Sequence, residues 1–240
     1  MPTAAVVIIG NEILTGKFQD ENGPYAIQRF RALGCDLGRV VVIADEREEI
    51  AREVAFCAER YDHVVTSGGV GPTHDDVTFS GVAEAFGVAL EPHQELMALL
   101  SRFQLPQNDA TRQMAMLPQG AEVFFAPETS FPVVLVRNVV VLPGVPKLFR
   151  RKFEEVSARF TGVSVSATRL YTRQHEWEFA AQLQAVAERY PSVSIGSYPR
   201  FEDSGFYVMI ALEGRNSEHL TAAVRDLQES LELFEPATTL

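Results

Sequence analysis

Thr66-Ser67-Gly68-Gly69-Val70-Gly71-Pro72-Thr73-His74-Asp75-Asp76-Val77-Thr78 follows a short β-rich run, His63-Val-Val-Thr-Ser67, and precedes a helical pattern from Val77 to Phe86 that Gly87 stops. Gly68, Gly69 and Gly71 let backbone approach a ligand closely, and the free N–H groups of a helix start favour an anion. Asp75 and Asp76 add paired carboxylates beside that anion. Such acids repel phosphate unless a hard cation such as Mg²⁺ lies between them, so the pattern points to metal-assisted phosphate chemistry. The plainer alternative is a turn at Gly68 to Pro72 with Asp75 or Asp76 as a helix N-cap. The stretch is neither G-x-G-x-x-G nor a P-loop, since Gly-Lys-Ser/Thr is missing.

Outward from this stretch, strand and helix patterns alternate. Ala4-Ala-Val-Val-Ile-Ile9 is a continuous apolar run ending at Gly10, as in a strand buried on both faces of a parallel sheet, and Leu37 to Ile43 repeats that character. Between the runs, Pro24 to Leu33 closes on Gly34, and Ile50, Val54, Cys57, Ala58 and Tyr61 share one helical face. The order implies a mixed, mainly parallel sheet with right-handed crossovers, an α/β fold flanked by helices. Further helices are expected over His93 to Phe103 and Asp109 to Met116. Short strands follow at Glu122 to Phe125, Val133 to Val136 and Val139 to Leu142, then the turn Pro143-Gly-Val-Pro146 and a helix from Lys147 to Phe160.

Thr161-Gly162 divides this first domain, residues 1–162, from a second, 163–240. There the expected order is strand (Val163 to Thr172), helix (Glu176 to Tyr190), strand (Val193 to Tyr198), strand (Phe206 to Glu213) and helix (Ser217 to Phe234), with Pro236 to Leu240 a frayed tail. That order suggests a smaller α+β domain of ferredoxin-like type.

The 240 residues are 46% hydrophobic, enough to bury a core in each domain. A formal net charge of −11 argues against general affinity for nucleic acid or an anionic membrane. No apolar run approaches the roughly 20 residues of a membrane helix, and the first ten residues lack the features of a secretory signal, so a soluble, cytoplasmic protein is expected. Cys35 and Cys57 read as reduced packing residues. With so acidic a chain, any phosphate must be held by local N–H groups, a few basic residues or a metal ion.

In open α/β sheets ligands bind outside the carboxyl ends of the strands. Four segments fall there: Gly10-Asn-Glu12-Ile-Leu-Thr-Gly16, Asp45, Ser67 to Asp76, and Pro143 to Pro146. Taken singly, Glu12 reads equally as a solvated acid, Asp45 as the N-cap of a capping box with Glu48, and Pro143 to Pro146 as a rigid turn.

Together, Gly10-x-Glu12-x-Leu14-x-Gly16, Thr66 to Thr78 and Leu142-Pro-Gly-Val-Pro146 resemble the molybdopterin-binding domain, of three-layer fold, shared by competence/damage-inducible protein A, the molybdopterin adenylyltransferases and the N-terminal half of animal FAD synthase. The likeness covers about residues 4–160, and Gly196-Ser-Tyr-Pro199 with Tyr207 looks like the smaller domain of the FAD synthase branch. The resemblance implies that Asp76 and Asp45 are catalytic, that Gly68, Gly69, Gly71 and Thr73 cradle phosphate, and that Pro143, Gly144 and Pro146 form a second wall. It further implies hydrolysis of a nucleotide pyrophosphate such as FAD or ADP-ribose with Mg²⁺, Mn²⁺ or Co²⁺. Asp76, Asp75 and Asp45 would hold the metal, Gly10 and Glu12 would contact substrate, and the chain would assemble as a homo-oligomer, dimer or trimer. Asn11 departs from the Asp or Thr of many relatives. Nothing resembles the amidase or nucleotidyltransferase domains of longer relatives, so amidohydrolysis and FAD synthesis are not expected. The alternatives are a molybdopterin-binding protein of molybdenum-cofactor assembly and a non-catalytic nucleotide- or pterin-binding module.

Overall fold

A computed structural model describes residues 1–102, 108–125, 132–200 and 206–234. The chain forms two compact units, Met1–Gly162 and Val163–Leu240. The first runs β1 (Thr3–Ile9), a short α1 (Asn11–Leu14), α2 (Asn22–Leu33), β2 (Asp36–Ile43), α3 (Arg47–Arg60), β3 (His63–Ser67) and α4 (Thr78–Phe86). It continues through β4 (Leu90–Pro92), α5 (Gln94–Arg102), α6 (Asp109–Gln113), β5 (Met116–Pro118), β6 (Glu122–Phe124), β7 (Val133–Val136), β8 (Val139–Leu142) and α7 (Pro146–Val156), closing with a 3₁₀ turn at Ser157–Phe160.

Six strands form one sheet in the order β2-β1-β3-β8-β7-β6, and β4 and β5 pair separately. The first four are mutually parallel, while β7 runs antiparallel to both β8 and β6. The expected mixed, mainly parallel sheet is therefore present. Because side chains alternate across a pleated strand, β1 serves both faces. Ala5, Val7 and Ile9 join Ile50, Val54 and Cys57 of α3 and Val82 of α4 in one core. Ala4, Val6 and Ile8 join Ala26 and Phe30 of α2 and Phe149 and Phe153 of α7 in the other. This three-layer burial explains why β1 and β8 read as unbroken apolar runs rather than alternating ones. In the second core, Phe30, Phe153 and Phe160 meet at 5.1–5.3 Å between ring centroids, in edge-on or tilted contact.

The second unit contains β9 (Ser166–Thr172), α8 (Glu176–Arg189), β10 (Val193–Pro199), β11 (Val208–Gly214) and α9 (Ser217–Ser230). Its antiparallel sheet has the order β10-β11-β9, and both helices bury apolar faces on it, Phe179 and Val186 from α8 and Leu220, Ala223 and Leu227 from α9. Among the described residues an isolated antiparallel bridge, Thr172 to Leu233, stands where a ferredoxin-like fold places its fourth strand.

Several expected boundaries shift. The helix expected over Asp109 to Met116 stops at Gln113, because Pro118 disfavours helical backbone just before it and Met116 to Pro118 instead pair with β4. The helix expected to reach Phe234 ends at Ser230: the chain turns extended at Leu231, and Thr172 Oγ1 donates to the Glu232 carbonyl while the Phe234 amide donates to the Tyr171 carbonyl. The helix expected over Lys147 to Phe160 tightens to 3₁₀ after Val156, and the strand expected from Val163 begins at Ser166. The expected helix end at Phe103 and the frayed tail lie outside the described residues. Among the described residues no helix is long and apolar enough to cross a membrane.

Phe153 is fully buried and contacts Tyr25, Phe30, Phe149 and Phe160. Phe153→Ala is expected to cost about 3–5 kcal/mol of the first unit's stability, the range for truncating a buried aromatic. Urea unfolding followed by far-ultraviolet circular dichroism measures it, and a loss below about 1 kcal/mol would show that α7 does not pack as described.

Candidate functional site

The parallel strands end in register. Ile9 pairs with Ile43, Ile8 with Ser67, and Ser67 with Leu142, so the segments that follow these strands emerge on one rim. The chain lays β2 on one side of β1 and β3 on the other, creating the switch point at which open sheets leave a crevice. A cleft of about 1550 Å³ lies along that rim. Glu12, Asp45, Gly68, Gly69, Gly71, Asp75, Asp76, Pro143, Gly144 and Pro146 all line it; Gly10 and Thr73 do not.

The glycine loop owes its shape to two positions. Gly68 has φ of +112°, and a Cβ there would lie 2.1 Å from the Ile9 carbonyl oxygen. Gly69 has φ of +62°, and its Cβ would meet Thr78 Oγ1 at 2.4 Å. Only glycine satisfies both the conformation and the space. Thr78 is fully buried and holds the loop from inside, its hydroxyl donating to the Gly68 carbonyl at 2.8 Å and its amide to the Gly69 carbonyl at 3.0 Å. The path leaves the N–H groups of Gly69, Val70 and Gly71 without a protein acceptor among the described residues. Successive free amides of this kind form a concavity suited to an anion.

Neither Asp75 nor Asp76 caps α4, whose N-cap is Val77 without a side-chain bond. Asp76 instead closes its own turn, Oδ2 accepting from the Thr73 amide at 2.8 Å and the Thr73 hydroxyl at 2.5 Å. Thr73 therefore acts by orienting Asp76. The capping box expected of Asp45 and Glu48 does not form either. The N-cap of α3 is Glu46, and Asp45 Oδ2 accepts from the Asn11 amide at 2.7 Å, tying the end of β2 to the start of α1. Gly10 holds the same junction through its amide, which donates to the Ile43 carbonyl at 3.1 Å. Burial raises the pKa of Asp45 from its ordinary value, and the charges of Glu12, Asp75 and Asp76 push it the same way against the lowering by the Asn11 amide.

Asp45, Asp75 and Asp76 share the cleft, yet among the described residues no three His, Cys, Asp or Glu side chains are grouped as a ready metal shell. Asp45 Oδ2 is turned toward the Asn11 amide at the start of α1, and Asp76 Oδ2 toward Thr73 of its own turn. The arrangement suits a cation that takes one or two protein carboxylates and completes its shell from water and ligand phosphate, the habit of Mg²⁺.

Periodicity missed two residues here. Asn22, the first residue of α2, is 5% exposed, and Nδ2 donates to Ser67 Oγ at 2.9 Å and to the Gly144 carbonyl at 2.7 Å. Lys152 of α7 is 3% exposed with Nζ at 2.9 Å from Glu155. Polar residues inside otherwise amphipathic helices were the only signal available.

Gly68→Ala is expected to cost at least about 2 kcal/mol, since strained backbone and a clash with the Ile9 carbonyl add, and thermal melting would expose an unchanged protein if the turn were permissive. Asp45→Asn is expected to raise the melting temperature at pH 7 in divalent-free buffer. Its raised pKa means that the ionised form opposes folding above that pKa, so the gain over the native chain should vanish as pH falls through the carboxylate range. A gain that persists or grows toward acid pH would refute the account of Asp45 as a carboxylate whose charge is opposed by burial and by its acidic neighbours.

Residues 5–161 match the family model described as probable molybdopterin binding domain, and residues 164–235 match that of the FAD synthase middle domain. A probable FAD synthase of Caenorhabditis briggsae is 35% identical over 95% of this chain and 49% of its own length; the chain thus spans about half of that relative. A protein of Archaeoglobus fulgidus is 32% identical over 94% of this chain and 96% of its own. Among solved structures, the protein CinA with unknown function from Thermoplasma acidophilum superposes with a TM-score of 0.61 at 28% identity, over 67% of this chain and 99% of that one. The chain belongs to the molybdopterin-binding domain family, joined here to a unit of the FAD synthase middle-domain type.

Proposed function

We propose that the first unit hydrolyses a nucleotide pyrophosphate such as FAD or ADP-ribose with a divalent cation, Mg²⁺, Mn²⁺ or Co²⁺. The observation that carries this reading is the run of partner-free amides at Gly69, Val70 and Gly71 beside Asp75 and Asp76 in one cleft. Amides receive phosphate oxygens but do not explain the acids, and the acids repel phosphate unless a cation accompanies it. Asp75 and Asp76, with Asp45 across the cleft, are the groups suited to hold that cation, which supplies charge neutralisation on the pyrophosphate and a more acidic water. Water oxygen forms the new bond to phosphorus, the bridging P–O bond breaks, and the proton of the attacking water is released as the two phosphomonoesters part. The glycine-loop amides stabilise charge gathering on the non-bridging oxygens. Glu12, on the same rim, suits the nucleotide ribose hydroxyls or the remaining cation positions.

A second reading, molybdopterin binding without hydrolysis, is favoured by the description of the family to which residues 5–161 belong. Phosphate on a fused nitrogen heterocycle is common to both ligands, so the glycine loop serves either. A homo-oligomer, dimer or trimer, accompanies both readings.

A panel of FAD, ADP-ribose, NAD and ATP against each cation tests the choice, with Asp76→Asn as the decisive variant. Asn keeps the acceptor that Thr73 uses and removes the charge, so the rate should fall by about two decades or more while melting is nearly unchanged. A stable Asp76→Asn protein of undiminished activity would sink the mechanism, and a native chain that binds pterin but cleaves nothing would establish the second reading.

A further inference from the structure

Asn22 does something in this cleft that neither capping nor packing requires. Both hydrogens of its amide are used, one on Ser67 Oγ at the end of β3 and one on the carbonyl of Gly144 in the turn after β8. These are the starts of the two walls, the glycine loop and the Pro143–Pro146 turn. The walls touch there: a Cβ on Gly144 would lie 3.2 Å from the Gly68 Cα. The other end of the amide, Oδ1, is buried and has no partner. A carbonyl accepts only, so the bond to Gly144 dictates which way the amide faces and leaves Oδ1 as the atom forgone. Buried polar atoms are seldom left unpaired, and a residue present only to fill space would not leave one.

The backbone of Asn22 is fixed before the side chain reaches out. Asp20 Oδ1 accepts from the amides of Asn22 at 2.8 Å and Gly23 at 3.1 Å. Glu21 is paired with Arg150 of α7 at 2.7 Å, and Glu154 of α7 accepts from Arg29 at 2.6 Å and from the Tyr25 hydroxyl. The helix bearing Asn22 is thereby tied to the helix that follows the second wall.

We propose that Asn22 is a positioning residue that clamps the glycine loop to the Pro143–Pro146 turn and so sets the width of the gap in which the partner-free amides meet an anion. Its consequence for ligands rests on the pyrophosphate reading; the clamp itself does not.

Asn22→Asp tests it with an isosteric side chain whose oxygens face the Gly144 carbonyl and cannot donate to it. In the ligand-free full chain, hydrogen exchange in peptides covering 66–72 and 142–148 should accelerate together by about fivefold or more, with α3 and the second unit unchanged. Ser67→Ala, which spares the Gly144 bond, should give a smaller rise. Calorimetric affinity for ADP-ribose with Mg²⁺ should fall about tenfold or more in Asn22→Asp, the scale expected when a binding wall is displaced. Unchanged exchange in the two segments overturns the clamp, as does acceleration spread evenly through the unit, which marks an ordinary packing residue. If Asn22→Asp does not fold, Asn22→Ala removes the donors without introducing charge, and the same two exchange outcomes decide. A native chain that binds no ADP-ribose defeats the pyrophosphate reading alone, because the exchange comparison judges the clamp without a ligand.

Discussion

The backbone contact between Gly68 and Ile9 is the constraint on which the rest of the rim depends. With no room for a Cβ against the Ile9 carbonyl, β3 turns into its loop directly over the end of β1, and the Gly68 amide remains free to donate to the Leu142 carbonyl at 3.1 Å. One residue thus joins the ends of three adjacent parallel strands. Everything functional follows from that closeness: Asp45 reaches the start of α1, Thr78 reaches back under the loop, and the turn after β8 comes into contact with Gly68. A side chain at position 68 would separate these segments even if the sheet itself survived.

The mainly parallel sheet and its flanking helices were legible because burial on both faces leaves a mark that a sequence can show. β8 is apolar throughout and β1 is so from Ala4 to Ile9, and the helices between the strands carry a single stripe. Short elements were not. β4 and β5 hold three residues each, fewer than any periodicity needs, and they form only by pairing with one another. The end of α9 was misread for a related reason: Leu231 continues the helical stripe in sequence, yet its neighbours satisfy the edge of β9. An exposed strand edge competes for the chain, and that competition is tertiary.

The site was legible where chemistry is concentrated and obscure where it is relayed. Three glycines followed by two acids announce themselves, and all of these acids and glycines line the cleft. What the pattern could not reveal is how each acid is engaged. Asp45 and Glu48 have the spacing of a capping box, but the Asn11 amide competes successfully for Asp45 across the rim. Asn22 lies in a stretch that reads as the approach to a helix, and its value comes from two partners 45 and 122 residues away.

The charges of the cleft are distributed in a way that bears on what it holds. Arg150 is paired with Glu21, and Arg151 and Lys152 with Glu155, so the three cations of α7 that line the cleft are already matched. By contrast, among the described residues no Lys or Arg pairs with Glu12, Asp45 or Asp76, and the neighbour of Asp75 is the exposed imidazole of His74 at 4.0 Å. In a chain of net charge −11, acids left unmatched on one rim raise each other's cost, adding to the burial that leads the upward shift of Asp45. Phosphate alone would add to that cost, and a cation alone would leave the amides of Gly69, Val70 and Gly71 unused. An anion and a cation entering together satisfy both sets of groups, and the two then neutralise each other as well as the site. On the proposed reading, therefore, metal and pyrophosphate should bind cooperatively, each far more weakly without the other. The coupling arises from the arrangement of the four acids and the glycine loop, without any movement of the fold.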